Sequence, residues 1–170
     1  MFNKEFYPTP DHVIEMMTTG LDLFGKTVLE PSAGSGSIID YVKNLGANVI
    51  CCEKHPELQM IAAKKGQFLK PDFFDVTREE ISHIDCIIMN PPFSNADKHI
   101  KHAWDIAPGG CTIVALCNAE TIKNRWSISR TVLGDIIEKN GSCGNIGDVF
   151  SNADSTTDID IALVKMVSVS

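Results

Sequence analysis

Residues 27–46, TVLEPSAGSGSIIDYVKNLG, decide the fold. Thr27-Val28-Leu29 reads as a short buried strand. Ile38, Ile39, Val42 and Leu45 keep helical spacing until Gly46 stops them. Between the two lies a loop of small residues from Pro31 to Gly36, which lets a ligand rest against the backbone at the start of a helix. As a dinucleotide fingerprint the loop fails, because the third glycine would fall at Ile39. The next apolar run, Val49-Ile50-Cys51-Cys52, is a second short strand and ends at Glu53. A carboxylate there is placed for the two hydroxyls of a ribose; a solvated strand-end acid is the plainer alternative.

Outward from this unit, helices and strands alternate with little filler. Thr9-Pro10-Asp11 opens a helix with Thr9 as its cap, Pro10 in the first turn and Val13, Met16 and Met17 inside, up to Gly20. Pro56 starts a helix through Leu58, Ile61 and Ala62, and a third strand lies near Gln67 to Leu69. Thr77 and Glu80 form a capping box for a short helix. Cys86 to Met89 is the fourth strand, Asp97 to Ile106 a helix, Cys111 to Leu116 the fifth strand, and Arg125 to Lys139 a longer helix ended by Gly141. Ile146 to Phe150 and Ile159 to Val167 are β-rich and joined by Ser151 to Thr157, turn chemistry with no room for a crossover helix, so they pair antiparallel. The pattern predicts one α/β domain spanning 1–170, with a doubly wound sheet that is parallel except for one strand near an edge.

At 170 residues, with 44% hydrophobic and 22% charged residues, the chain can bury a core without disulfides or metals. No apolar run approaches the roughly 18 residues of a membrane span. The N-terminal six residues carry no secretion signal, which predicts a reducing cytoplasmic setting. The six cysteines agree: none forms C-x-x-C spacing, and Cys51, Cys52, Cys86, Cys111 and Cys117 sit in or beside strand-like runs as buried thiols. A net charge of −7 is awkward for a freestanding nucleic-acid binder. The two basic groups, Lys123-Asn124-Arg125 with Arg130 and Lys98, His99, Lys101, His102, fit a solvated helix face at least as well as phosphate contact.

The chemistry is concentrated in Asn90-Pro91-Pro92-Phe93, directly after the fourth strand. Two prolines remove two backbone donors and push Asn90 into extended geometry, so its amide and the Pro91 carbonyl form a rigid set of acceptors. Such a set suits an amino group on a planar ring, whose lone pair it turns toward an electrophile, while Phe93 stacks on the ring face. Asp72, after the third strand, is placed to accept from an adenine amino group; Asp75 competes for that role, and capping the helix that follows is the plainer role for either.

Phe6-Tyr7-Pro8-Thr9-Pro10, Leu29 to Gly36 and Asn90 to Phe93, in this order, resemble the motifs of S-adenosylmethionine-dependent amino-methyltransferases that act on adenine in DNA, of the gamma type. The resemblance covers essentially the whole chain. It implies the Rossmann-like class I methyltransferase fold, with a seven-stranded sheet, helices on both faces and a C-terminal hairpin. It further implies that Tyr7, Thr9 and Pro10 cover the methionine moiety of S-adenosylmethionine, and that Glu30, Pro31, Ala33, Gly34 and Gly36 line the same pocket. Glu53 would hold the ribose, Asp72 with Phe73 the cofactor's adenine, Asn90 and Pro91 the target amino group, and Phe93 the target base. Pro92 completes the catalytic turn, and Phe150 is similar in position to an aromatic that closes the other side of a flipped base. The reaction implied is direct displacement, with no metal and no covalent nucleophile.

The family's separate target-recognition domain has no counterpart in these residues. A partner subunit, a homo-oligomer, the segment Thr121 to Arg130, or little sequence preference would each fit. The same Asn-Pro-Pro turn serves enzymes that methylate adenine in RNA or a protein glutamine, and Phe93 favours a base over glutamine. A non-catalytic cofactor-binding or interaction subunit is the alternative of a different class.

Overall fold

A computed structural model describes residues 7–151 and 158–169. Phe6 of the N-terminal motif and Asn152 to Thr157 of the hairpin turn lie outside the described residues. Seven strands form one sheet: β1 (Thr27–Glu30), β2 (Asn48–Cys52), β3 (Gln67–Lys70), β4 (Cys86–Met89), β5 (Thr112–Asn118), β6 (Gly141–Gly147) and β7 (Ile161–Val167), in the order β3-β2-β1-β4-β5-β7-β6. β7 runs antiparallel to both of its neighbours, and the other pairings are parallel. The predicted doubly wound sheet with one antiparallel strand next to an edge is therefore the observed one.

The helices are α1 (Asp11–Thr18), α2 (Ser37–Asn44), α3 (Pro56–Lys65), α4 (Ala96–Ile106), α5 (Ala119–Lys123) and α6 (Ile128–Asn140). Burial on both faces explains why the central strands read as unbroken apolar runs. Along β4, Ile87 and Met89 join Ile100 and Ala103 of α4 and Leu133 and Ile137 of α6 on one face. Cys86 and Ile88 join Ile14 and Met17 of α1, Ile39 and Val42 of α2 and Ala62 of α3 on the other. Five of the cysteines are buried free thiols and Cys143 is exposed. Desolvation pushes the Cys86, Cys111 and Cys117 thiols up to about 12, so they are inert packing groups. No helix is long and apolar enough to cross a membrane among the described residues.

Several local expectations are corrected. Pro10, not Thr9, occupies the cap position of α1, without a side-chain bond, and the Thr9 hydroxyl accepts from Asn90 instead. Ile14 rather than Met16 completes the buried stripe of α1. Half of the capping box forms, with the Thr77 N–H donating to Glu80 Oε2 at 2.9 Å, but Lys70 also pairs with Glu80 and residues 78–83 remain turns. The segment before α6 contains the separate short helix α5, so α6 starts at Ile128 rather than Arg125.

β6 starts at Gly141, directly at the end of α6, five residues before the expected strand. A Cβ at Gly141 would stand 2.0 Å from the Lys165 carbonyl oxygen and 2.8 Å from Met166 Cα, both backbone atoms of β7. The Gly141 φ of −170° is open to any residue, so lack of space alone demands glycine. Gly141→Ala is expected to lower stability by about 2–4 kcal/mol in urea denaturation. A loss below about 0.5 kcal/mol would show that β6 can shift away from β7 at little cost.

Candidate active site

The sequence order reverses between β1 and β4, and the crevice above their carboxyl ends is where ligands enter sheets of this kind. Glu30 closes β1 and Asn90 follows β4, so the two stand on either side of that switch point. Between and around them lies a cavity of about 410 Å³, within the roughly 300–1,000 Å³ typical of cofactor-sized ligands.

The loop after β1 is bent by left-handed glycines, Gly34 at φ 55° and Gly36 at φ 85°. Its shape is held by Glu53, whose Oε2 accepts from the Gly34 N–H and whose Oε1 accepts from the His55 N–H, both at 2.7 Å. Each Glu53 oxygen keeps a further lone pair. Glu30 is 1% exposed. Its Oε1 accepts from the Ser32 N–H at 2.9 Å, and its Oε2 has no partner among the described residues. Desolvation, partly offset by the Ser32 hydrogen bond and reinforced by the Glu53 charge, raises its carboxyl from 4.5 to about 8.

Across the crevice, Asn90 Nδ2 donates to Thr9 Oγ1 at 3.0 Å and to the Tyr7 carbonyl at 3.3 Å. That fixes the amide: its nitrogen is spent on the segment before α1, and its buried Oδ1 is left without a partner among the described residues. A buried acceptor without a donor is costly and uncommon. Pro91, Pro92 and Phe93 line the same cavity. The Tyr7, Phe93 and Phe150 rings cluster beside it, with centroids 6.4 Å (Tyr7–Phe93), 5.8 Å (Tyr7–Phe150) and 5.8 Å (Phe93–Phe150) apart. The Phe93 and Phe150 planes meet at 64°. A ring sandwiched between them needs about 7 Å and parallel faces, so the pair is not a ready-made slot, and a base entering there must part the two rings.

At the other end of the cavity, Asp72 is largely occupied by structural contacts. Its Oδ1 accepts from the Phe74 N–H at 3.0 Å, capping a 3₁₀ turn over Phe73–Asp75, and its Oδ2 meets Lys54 Nζ at 3.1 Å. These contacts, the Phe74 N–H first, hold its carboxyl below the usual range. Asp72 lines the cavity and Asp75 does not. Phe73 is buried beside His99 (6.1 Å, 20°) and edge-on to His102 (4.8 Å, 80°).

The cavity thus brings together Tyr7, Thr9, Glu30, Pro31, Ala33, Gly34, Glu53, Asp72, Phe73 and Asn90 to Phe93. Pro10 and Gly36 stand outside it, as the caps of α1 and α2. Among the lining residues that sequence reading did not assign to the cavity are Asn95, whose Oδ1 is buried without a partner among the described residues, and His99, grouped there with a solvated helix face or a phosphate contact. His99 is 7% exposed and its Nδ1 donates to the Asn95 carbonyl at 3.1 Å. His102 Nε2 donates to the Val76 carbonyl and Lys101 pairs with Asp105, so three of the four members of this basic group serve local structure.

No family model matches the chain, and no curated protein matches it. Solved structures do. A candidate RNA methyltransferase of Pyrococcus horikoshii is 21% identical over 98% of this chain and 88% of its own, with a TM-score of 0.72. An RNA methyltransferase of Salinibacter ruber, solved in complex with S-adenosyl-L-homocysteine, is 16% identical over 94% of both chains, with a TM-score of 0.60. A candidate class I S-adenosylmethionine-dependent methyltransferase of Listeria monocytogenes is 12% identical over all of this chain and 63% of its own, with a TM-score of 0.72. What these likenesses establish is architecture: the chain has the Rossmann-like fold of class I methyltransferases.

Proposed function

We propose that the protein is an S-adenosylmethionine-dependent methyltransferase acting on the exocyclic amino group of adenine in DNA. The observation that carries this reading is the Asn90 amide, with its nitrogen tied to Thr9 and Tyr7 and its oxygen buried and free to accept. An amine is the complementary donor, and nothing else in the proline-locked turn needs that acceptor.

The residues fit the donor molecule. Glu30 keeps an unpartnered buried oxygen for an ammonium group, the left-handed Gly34 lets a ligand approach the backbone, and Glu53 keeps lone pairs for hydroxyls. Phe73 offers an apolar surface for a purine, with Asp72 beside it. Bound S-adenosylmethionine supplies a methyl group already activated by the adjacent sulfonium. The protein therefore has to align and to accept: Asn90 Oδ1 and the Pro91 carbonyl take hydrogen bonds from the target nitrogen and keep its lone pair out of conjugation. Phe93 holds the ring face, and the proton released from nitrogen passes to water, since an amide is no base.

RNA adenine is the second reading, favoured by the RNA methyltransferases of the same fold. DNA rests on the order and content of the Tyr7–Pro10, Glu30–Gly36 and Asn90–Phe93 motifs. Incubation with labelled donor and with DNA, RNA and protein pools separates the readings, label in DNA being expected. Label confined to RNA selects the second, and label in protein alone rejects both. Thr9→Val removes a partner of Asn90 without touching the Oδ1 acceptor, and is expected to weaken donor binding about three- to tenfold while the transfer rate at saturating donor falls less. Calorimetry and saturation kinetics check this; a larger loss in rate than in affinity would show that Thr9 serves the acceptor side.

A further inference from the structure

We propose that residues 123–130 form a nucleic-acid contact in which Trp126 stacks on a base flanking the target while Lys123 and Arg130 meet phosphates. The inference rests on the nucleic-acid reading above and assigns the part of the surface that holds the strand.

Position comes first. β5 lies beside β4 in parallel, with Ala115 opposite Met89, so its continuation into α5 leaves the sheet at the same edge as Asn90. The chain then returns to the site: Ser129 Oγ donates to Asp97 Oδ2 at 3.0 Å, at the start of α4 just after the Phe93–Asn95 turn. The loop carrying Trp126 is thereby fastened next to the turn that carries Phe93.

Trp126 is 87% exposed and Ile128 is 85% exposed, against 80% or less for the other large hydrophobic residues described. The residues on either side of Trp126 are anchored. The Arg125 guanidinium is clamped by Asp135 (3.0 Å) and Glu138. It lies over Gly134, where a Cβ would come within 2.7 Å of it. Thr131 Oγ1 donates to the Arg125 carbonyl at 3.2 Å, and Ser127 Oγ caps α6 by accepting from the Arg130 N–H at 3.2 Å. Both residues flanking Trp126 are therefore fixed, which anchors the backbone that carries the indole and lowers the ordering cost when a partner covers it.

Charge identifies that partner. Two carboxylates neutralise Arg125, which makes it a strut. Lys123 and Arg130 have no ion pair among the described residues. On a chain of net charge −7, two cations without ion pairs on the same eight-residue segment as a projecting aromatic ring suit a strand that offers phosphates and π faces together. In the second basic group His99, Lys101 and His102 are held by local contacts.

The test uses the full-length chain with saturating donor and an adenine-containing oligonucleotide. Trp126→Ala should raise KM for the oligonucleotide about tenfold or more, with kcat and donor affinity within about twofold, and Trp126→Phe should recover most of the loss. In a Trp104→Phe background, oligonucleotide should quench the remaining Trp126 fluorescence. Lys123→Ala and Arg130→Ala should each lower the slope of log affinity against log salt by about 1. An unchanged KM in Trp126→Ala, with the wild-type protein methylating nucleic acid, overturns this inference and leaves the function reading standing. Transfer by the wild type to protein alone, or to no nucleic acid, overturns both.

Discussion

Asn90→Ala is expected to lower methyl transfer by at least about 10²–10³-fold, the cost of removing one fixed hydrogen-bonding group aimed at a reacting centre. Donor affinity should fall less than about tenfold. The division follows from the two ends of the amide. Oδ1 is unpartnered and is the proposed acceptor for the amine, whereas Nδ2 holds Thr9 and Tyr7, which line the cavity from the segment before α1. Alanine removes both functions, so Thr9→Val reports on the second alone and the difference between the variants isolates the acceptor. Single-turnover rates with saturating donor measure it. Equal losses in rate and in donor affinity in Asn90→Ala would place Asn90 on the donor side and contradict its proposed contact with the amine.

Glu30→Gln is expected to make the donor-free protein more stable at neutral pH and poorer at binding donor. The Glu30 carboxyl stands near 8 in the folded protein against 4.5 ordinarily, chiefly through desolvation. Because the folded-state value is raised, the stability Glu30 contributes is fully present below about 4.5 and is lost as pH rises from there through about 8. At pH 7 that loss amounts to about 3 kcal/mol, and glutamine, which has no proton to lose, should escape it. Urea denaturation should therefore find Glu30→Gln close to wild type near pH 4.5 and up to about 3 kcal/mol more stable near pH 7. A ligand ammonium at Oε2 favours the ionised form, so wild-type affinity for S-adenosylhomocysteine should rise between about pH 6 and pH 8, by at most tenfold per unit. Glu30→Gln should bind more weakly and lack that rise. Parallel pH profiles for the two proteins would remove Glu30 from the donor site. A residue that costs stability in the free protein and is needed for the ligand is the expected pattern at a functional site.

Much of this site is legible in the sequence because its polar residues follow strands directly. Glu30, Glu53 and Asn90 each terminate or follow a run buried on both faces, and such runs stand out as unbroken apolar segments. β6 is the opposite case. GSCGNIG is an edge strand, exposed along most of its length, with no apolar alternation to mark it, so the expected hairpin started five residues late. The capping box at Thr77 and Glu80 is a correct local signal overridden by Lys70, which draws Glu80 into an ion pair. Thr9 carries an N-cap signature but serves Asn90, 81 residues away in the chain. His99 and Asn95 are brought to the cavity by α4 packing on the Phe73–Asp75 turn, a tertiary event with no local pattern.

The central claim is that Asn90 presents its free amide oxygen to an exocyclic amine. Digestion of nucleic acid labelled by the protein, followed by mass analysis of the nucleosides, tests it most directly. The label is predicted in N6-methyladenine, carried on the exocyclic nitrogen, and at least about a hundredfold lower after reaction with Asn90→Ala. Label on a ring atom, such as N1 of adenine or C5 of cytosine, would contradict the account, because neither position offers the amino hydrogens that the proposed Asn90 and Pro91 contacts require.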